Sequence, residues 1–160
     1  MYYRVSNSGN RVEWNPTNES AASQALIETS GTGVSTADDV SAKSPVELDK
    51  ETARQVNERY KTLTLKKLVV QPEDGQIEAN GAGSETLAIE VVNGDDERVT
   101  ENYTANLAID NTLTEVSVID GVGTTDITTD KTAGAQVNVQ AVDLDETEAV
   151  SSKAVGLDVV

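Results

Sequence analysis

The residues that could do chemistry in this chain are almost all carboxylates. Histidine and cysteine are absent from its 160 residues, which removes imidazole or thiolate nucleophile pairs, the usual transition-metal ligands and disulfides. Three stretches remain. Gly81-Ala82-Gly83 has the spacing that opens a dinucleotide loop, but that loop needs a preceding strand and a following helix to aim backbone N–H groups at phosphate. Alternating residues around it predict β-structure instead. Asp95-Asp96-Glu97 and Asp143-Leu144-Asp145-Glu146-Thr147-Glu148 could hold a hard cation, yet neither has EF-hand spacing, and solvated acidic turns are the expectation. Carboxylate pairs for glycoside hydrolysis arise trivially in so acidic a chain, with no aromatic sugar platform beside them. The reading is therefore no catalytic residue, no cofactor and no metal: not an enzyme.

Charge narrows the partners. A formal net charge of −16 repels phosphate backbones and anionic lipid, which argues against nucleic acid and membrane. No run approaches the roughly 18 apolar residues of a membrane helix. The first ten residues, Met1 to Asn10, hold no apolar signal-peptide core, so synthesis in the cytoplasm without export by the general route is expected.

The charge is unevenly shared. Residues 1–62 carry seven basic groups against nine acidic ones, a net of −2; residues 63–160 carry five against nineteen, a net of −14. Trp14 and three of the four tyrosines (Tyr2, Tyr3 and Tyr60) lie in the first segment. Aromatic and arginine side chains anchor interfaces, whereas dense like charge keeps a surface solvated. Residues 1–62 thus read as an attachment segment, with Tyr2, Tyr3, Arg4, Arg11 and Trp14 as candidate partner-binding residues. The alternative is a small cap that only packs on the second segment.

The elements that would position these residues follow from periodicity. Tyr2–Trp14 predicts a hairpin turning at Ser8-Gly9-Asn10. A weak helix over Glu19–Ile27 ends at Gly31, and residues 30–43, small and polar, form an arm. Ser44-Pro45-Val46-Glu47 has the form of a capping box with proline at the first helical position. It predicts a helix to about Tyr60 with Leu48, Val56, Tyr60 and Leu63 along one face.

Beyond Leu63 the period becomes two. Leu63–Val70 predicts a first strand with Lys66 and Lys67 at an edge or outward. Leu87, Ile89 and Val91 line one face of another, and Asn93-Gly94 marks a turn. Runs at 105–109, 115–119, 123–129, 136–141 and 149–160 complete about seven short strands, which predicts a β-sandwich over residues 63–160. Scarce aromatics, 3% with no phenylalanine, suit a thin aliphatic core.

Ile77-Glu78-Ala79-Asn80-Gly81-Ala82-Gly83-Ser84-Glu85-Thr86-Leu87-Ala88-Ile89 resembles the opening of bacterial immunoglobulin-like domains of the invasin and intimin type. Gly121-Val122-Gly123-Thr124-Thr125, followed by Thr132-Ala133-Gly134-Ala135-Gln136-Val137-Asn138-Val139, is similar to that family's late strands. The disulfide and core tryptophan of antibody domains are absent. The fold class implied is mainly β: an immunoglobulin-like sandwich preceded by a small segment with a hairpin or arm and one or two helices. The two-part arrangement resembles capsid decoration or head-fibre proteins of tailed bacteriophages. That resemblance implies a structural virion protein on the capsid exterior, made in the host cytoplasm. Residues 1–62 would bind the major capsid protein or another virion protein, with a homo-oligomer on the capsid a further partner. A tail or fibre adhesion module, or part of an exported bacterial surface protein, is the alternative.

Overall fold

The computed structural model describes residues 2–5, 11–13, 16–30, 46–145 and 148–160. They fall into two units, Met1–Leu65 and Lys66–Val160.

In the first unit, β1 (Tyr2–Val5) pairs antiparallel with β2 (Arg11–Glu13) and parallel with β3 (Val46–Leu48). The hairpin read from residues 2–14 is present as paired strands; its turn and Trp14 lie outside the described residues, as does the expected arm from residue 31 onward. Helix α1 (Glu19–Ser30) starts at Asn18, whose Oδ1 accepts the Ala21 N–H at 2.9 Å. Helix α2 (Lys50–Thr64) differs from expectation at both ends. It does not open at the Ser44-Pro45 box: Ser44 and Pro45 lie outside the described residues, and Val46–Leu48 is strand. Asp49 caps the helix instead, its carboxylate taking the Thr52 N–H at 2.8 Å and the Thr52 hydroxyl at 2.9 Å. A charged acceptor holding an otherwise orphan helical N–H suits this end, and the edge of β1 takes the preceding residues.

At its other end α2 continues through Thr64, so the strand expected from Leu63 begins only at Lys67. Leu63 belongs to the helical stripe: with Tyr60 it packs on Ala25, Leu26, Leu48, Ala53 and Val56. That burial outweighs the strand preference of the local sequence. Arg59 of α2 pairs with Glu28 of α1.

In the second unit, β4 (Lys67–Pro72), β6 (Glu85–Val92) and β9 (Val122–Ile127) form an antiparallel sheet in the order β4-β6-β9. The other sheet runs β5-β12-β10-β7-β8, from β5 (Gln76–Ile77), β12 (Val155–Val159), β10 (Gln136–Leu144), β7 (Tyr103–Ile109) and β8 (Thr112–Val118). A short β11 (Glu148–Ala149) adds to β10, so the expected run 149–160 is two strands. The chain changes sheet after β4, β5, β6, β8 and β9, and β5 runs parallel to the last strand. This is an immunoglobulin-like sandwich.

Alternation puts one face of each strand inward. Leu87, Ile89, Leu107, Val139 and Leu157 have essentially no exposed surface and share one core with Val91 and Val137. The β7–β8 turn has positive φ at Asp110 and Asn111, as a two-residue hairpin loop requires. At Asp120-Gly121 the same geometry leads from one sheet to the other, and Gly121 is obligatory there. Its φ is +78°, and an added Cβ would lie 2.0 Å from the Val99 carbonyl oxygen.

Candidate functional site

The residues singled out as anchors are placed only by backbone. Tyr2, Tyr3 and Arg4 lie on β1 and Arg11 on β2, in the register Tyr2–Glu13, Tyr3–Val12 and Arg4–Arg11; on the other side Arg4 stands opposite Glu47. Four of the five thus share one small sheet, and Trp14 lies outside the described residues.

The glycine stretch does not form an anion loop. It is a 3-10 turn, Ala79–Gly81, with positive φ at Asn80 and Gly81. Its amides are used internally: Asn80 N–H donates to Lys131 O at 3.0 Å, Gly81 N–H to Thr129 O at 2.7 Å, and Ala82 N–H to Ala79 O at 3.2 Å. The acidic turns are built around asparagine. Asn93 Oδ1 accepts the Asp95 and Glu97 N–H groups at 2.9 and 3.1 Å. Asn106 Nδ2 donates to Asp143 at 2.7 Å, and Asp145 accepts the Thr104 N–H at 2.8 Å. Among the described residues no cluster of carboxylates has metal-holding geometry.

Basic groups in the sandwich reinforce loops. Lys67, on edge strand β4, is not simply outward: its ammonium reaches the Gly94 carbonyl at 3.1 Å and Asp96 at 2.9 Å. Arg98 reaches Glu90 at 2.7 Å. Lys66 sits 4.7 Å from the centre of the Tyr103 ring and 3.9 Å from Glu101. Tyr103 donates its hydroxyl hydrogen to Glu101. Burial first, then that bond, pushes the phenol up to about 12.

Glu85 is the polar residue that sequence reasoning passed over. It is in phase with Leu87, Ile89 and Val91, and it is buried with only 3% of its surface exposed. Its Oε1 accepts the Asp74 and Gly75 N–H groups at 2.8 and 3.1 Å, fixing the turn between β4 and β5. A carboxylate on an apolar stripe was the signal that could have found it.

A cleft of about 580 Å³ opens where β8 and β9, the end strands of the two sheets, diverge. Ile109 and Ile127 form its apolar part; Thr112, Thr114, Asp126 and Asp130 rim it. Lys131, also on the rim, bonds Asp110 at 2.8 Å and the Gln136 carbonyl. Burial favours the protonated form of Asp110, but the Lys131 ammonium and the Asn138 N–H together hold it below the usual carboxylate range. Periodicity along the chain does not reveal this cleft, because it exists through the meeting of residues 109–114 with residues 126–131.

No family model matches this chain. Nor does any curated protein. Among solved structures it is similar to the CARDB domain of the PF1109 protein from Pyrococcus furiosus, crystallised in complex with di-metal ions. The likeness has 16% identity and a TM-score of 0.37, and covers 59% of this chain and 87% of that one. At that level it says nothing about what this chain binds.

Proposed function

We propose that this chain is a structural protein that displays an acidic immunoglobulin-like domain from an attached N-terminal unit, as a capsid decoration or head-fibre component of a virion. One observation carries the reading. The two units, which divide at Leu65 and Lys66, differ in net charge by twelve, −2 against −14, although the first is only about two-thirds the length of the second. A surface as charged as the second stays solvated and resists packing on other acidic surfaces. The first, near neutrality and richer in aromatics and arginine, has the composition of an interface. The major capsid protein or another virion protein is the proposed partner, with the sandwich on the capsid exterior.

The test is co-sedimentation with undecorated capsids, comparing the full chain with residues 66–160. The full chain is expected to pellet with the particles and the sandwich alone to stay in the supernatant. Binding by the sandwich alone would reverse the assigned polarity. Binding by neither, to any capsid assembly from the same genome, would leave the tail, fibre or surface-adhesion alternative.

A further inference from the structure

The cleft between β8 and β9 lies where the sheet β4-β6-β9 ends, and two features suggest an occupant. The first is an unused strand edge. Val91 N–H donates to Gly121 O, whereas Val122 N–H donates to Ile119 O. Odd-numbered residues of β9 therefore direct their backbone groups at β6, and even-numbered ones direct theirs away from it. Past Val122 that outward side, at Thr124 and Asp126, pairs with no strand among the described residues. At Gly123 the space is closed, since an added Cβ would lie 2.6 Å from the Ser117 carbonyl oxygen of β8. Towards Ile127 the strands part, and the cleft opens.

The second feature is the chemistry of the walls. On β8 the inward positions next to the gap are Thr112 and Thr114, whereas further along they are the buried Val116 and Val118. Threonine offers a methyl to a neighbour and keeps a hydroxyl for water, which suits a surface that is covered only part of the time. The rim is anionic. Lys131 is engaged by Asp110, and neither Asp126 nor Asp130 has a cationic partner among the described residues. Asp126 takes one hydrogen bond, from the Thr86 hydroxyl at 2.7 Å.

We propose that this cleft binds an extended basic peptide, which adds as a strand to the outer edge of β9. Its backbone meets Thr124 and Asp126. Its alternate small apolar side chains cover Ile109, Ile127 and the two threonines. Its Lys or Arg side chains face Asp126 and Asp130. Open sheet edges recruit strands in this way unless they are blocked. The opposite edge strand, β4, ends at Pro72 and is partly covered by Ser151, whose carbonyl accepts the Leu68 N–H at 3.1 Å, and β9 carries neither device.

The experiment is a titration of the isotope-labelled full chain with a capped nine-residue peptide alternating lysine and valine, followed by amide shifts and amide exchange. Slowed exchange and shifts are expected at Thr124, Asp126 and Thr128, with Thr112 and Thr114 moving too. Asp126→Lys is expected to weaken binding tenfold or more. Thr124→Pro, which deletes an outward N–H and spares the ladder to β6, is expected to abolish it while the thermal melt stays cooperative. Asp126→Asn serves as the milder variant if either fails to fold. The proposal is overturned if a peptide of the same composition interrupted by proline binds equally well, or if the shifts centre on Asp95–Glu97. It is also overturned if the labelled chain does not respond, or if concentration alone protects β9, which would make the occupant a second copy.

Discussion

The two units reach stability by different routes. In the sandwich, strands scattered over residues 66–160 close one aliphatic core, and its basic side chains at Lys66, Lys67, Arg98 and Lys131 are drawn into loops. In the first unit the described core is small: Ala25, Leu26, Leu48, Ala53 and Val56, with Tyr60 and Leu63 beside it. Among the described residues its ion pairs run along α2, where Arg54 bridges Glu51 and Glu58, or join α2 to α1 through Arg59 and Glu28. The sandwich can therefore carry a net −14 because apolar burial holds it together, not charge balance. The first unit depends more on local caps and pairs, which are individually weak.

The change that would test this difference most severely is Ile89→Ala. The side chain is fully buried between the sheets, so its truncation is expected to cost about 2–5 kcal/mol. Calorimetry should show a lowered sandwich melt, while amide exchange in α1 and α2 stays as it was. A smaller effect is expected from Glu85→Ala. It strips the Asp74 and Gly75 N–H groups of their acceptor in a buried setting and should cost about 1–3 kcal/mol, read by urea denaturation. A neutral outcome would mean that water replaces the carboxylate there.

How much of this was legible follows from what periodicity can report. Alternation through Leu87, Ile89 and Val91 tells which side chains face inward, and each is buried. It does not name a strand's partner, so neither the sheet change after β6 nor the parallel pairing of β5 with β12 could be read from it. The start of α2 was misread because Ser44-Pro45-Val46-Glu47 and Asp49-Lys50-Glu51-Thr52 both carry local capping chemistry. Pairing of Val46–Leu48 with β1 decides between them. The cleft was invisible because its walls lie on separate segments, and the candidate anchors Tyr2, Tyr3, Arg4 and Arg11 are known only by register.

Acidification sharpens the comparison further. Glu28 titrates below its ordinary value of 4.5, chiefly through the hydrogen bond from Arg59 and then that from Gln24. A depressed carboxylate contributes stability above its unfolded pKa and loses it as pH falls through the folded one. The first unit should therefore weaken below about pH 4, since unperturbed carboxylates titrate near that value. In the sandwich Asp110 behaves in the same direction, but protonating its many other carboxylates also relieves self-repulsion. Helical amides should thus lose exchange protection at a higher pH than the amides of β6 and β10. In the variant Arg59→Leu the acid sensitivity of the helices should diminish. The smallest effect separates the two caps: Asp49→Ala should speed exchange at Thr52 and Ala53, whereas Ser44→Ala should leave both unchanged.

The division of labour between the units is tested most directly by amide exchange on the full chain, measured free and bound to undecorated capsids. The account predicts new protection confined to residues 2–64, with the outer faces of both sheets exchanging as they do in free protein. Protection that instead appears on β4, β6 and β9, with residues 2–64 unaffected, would contradict it.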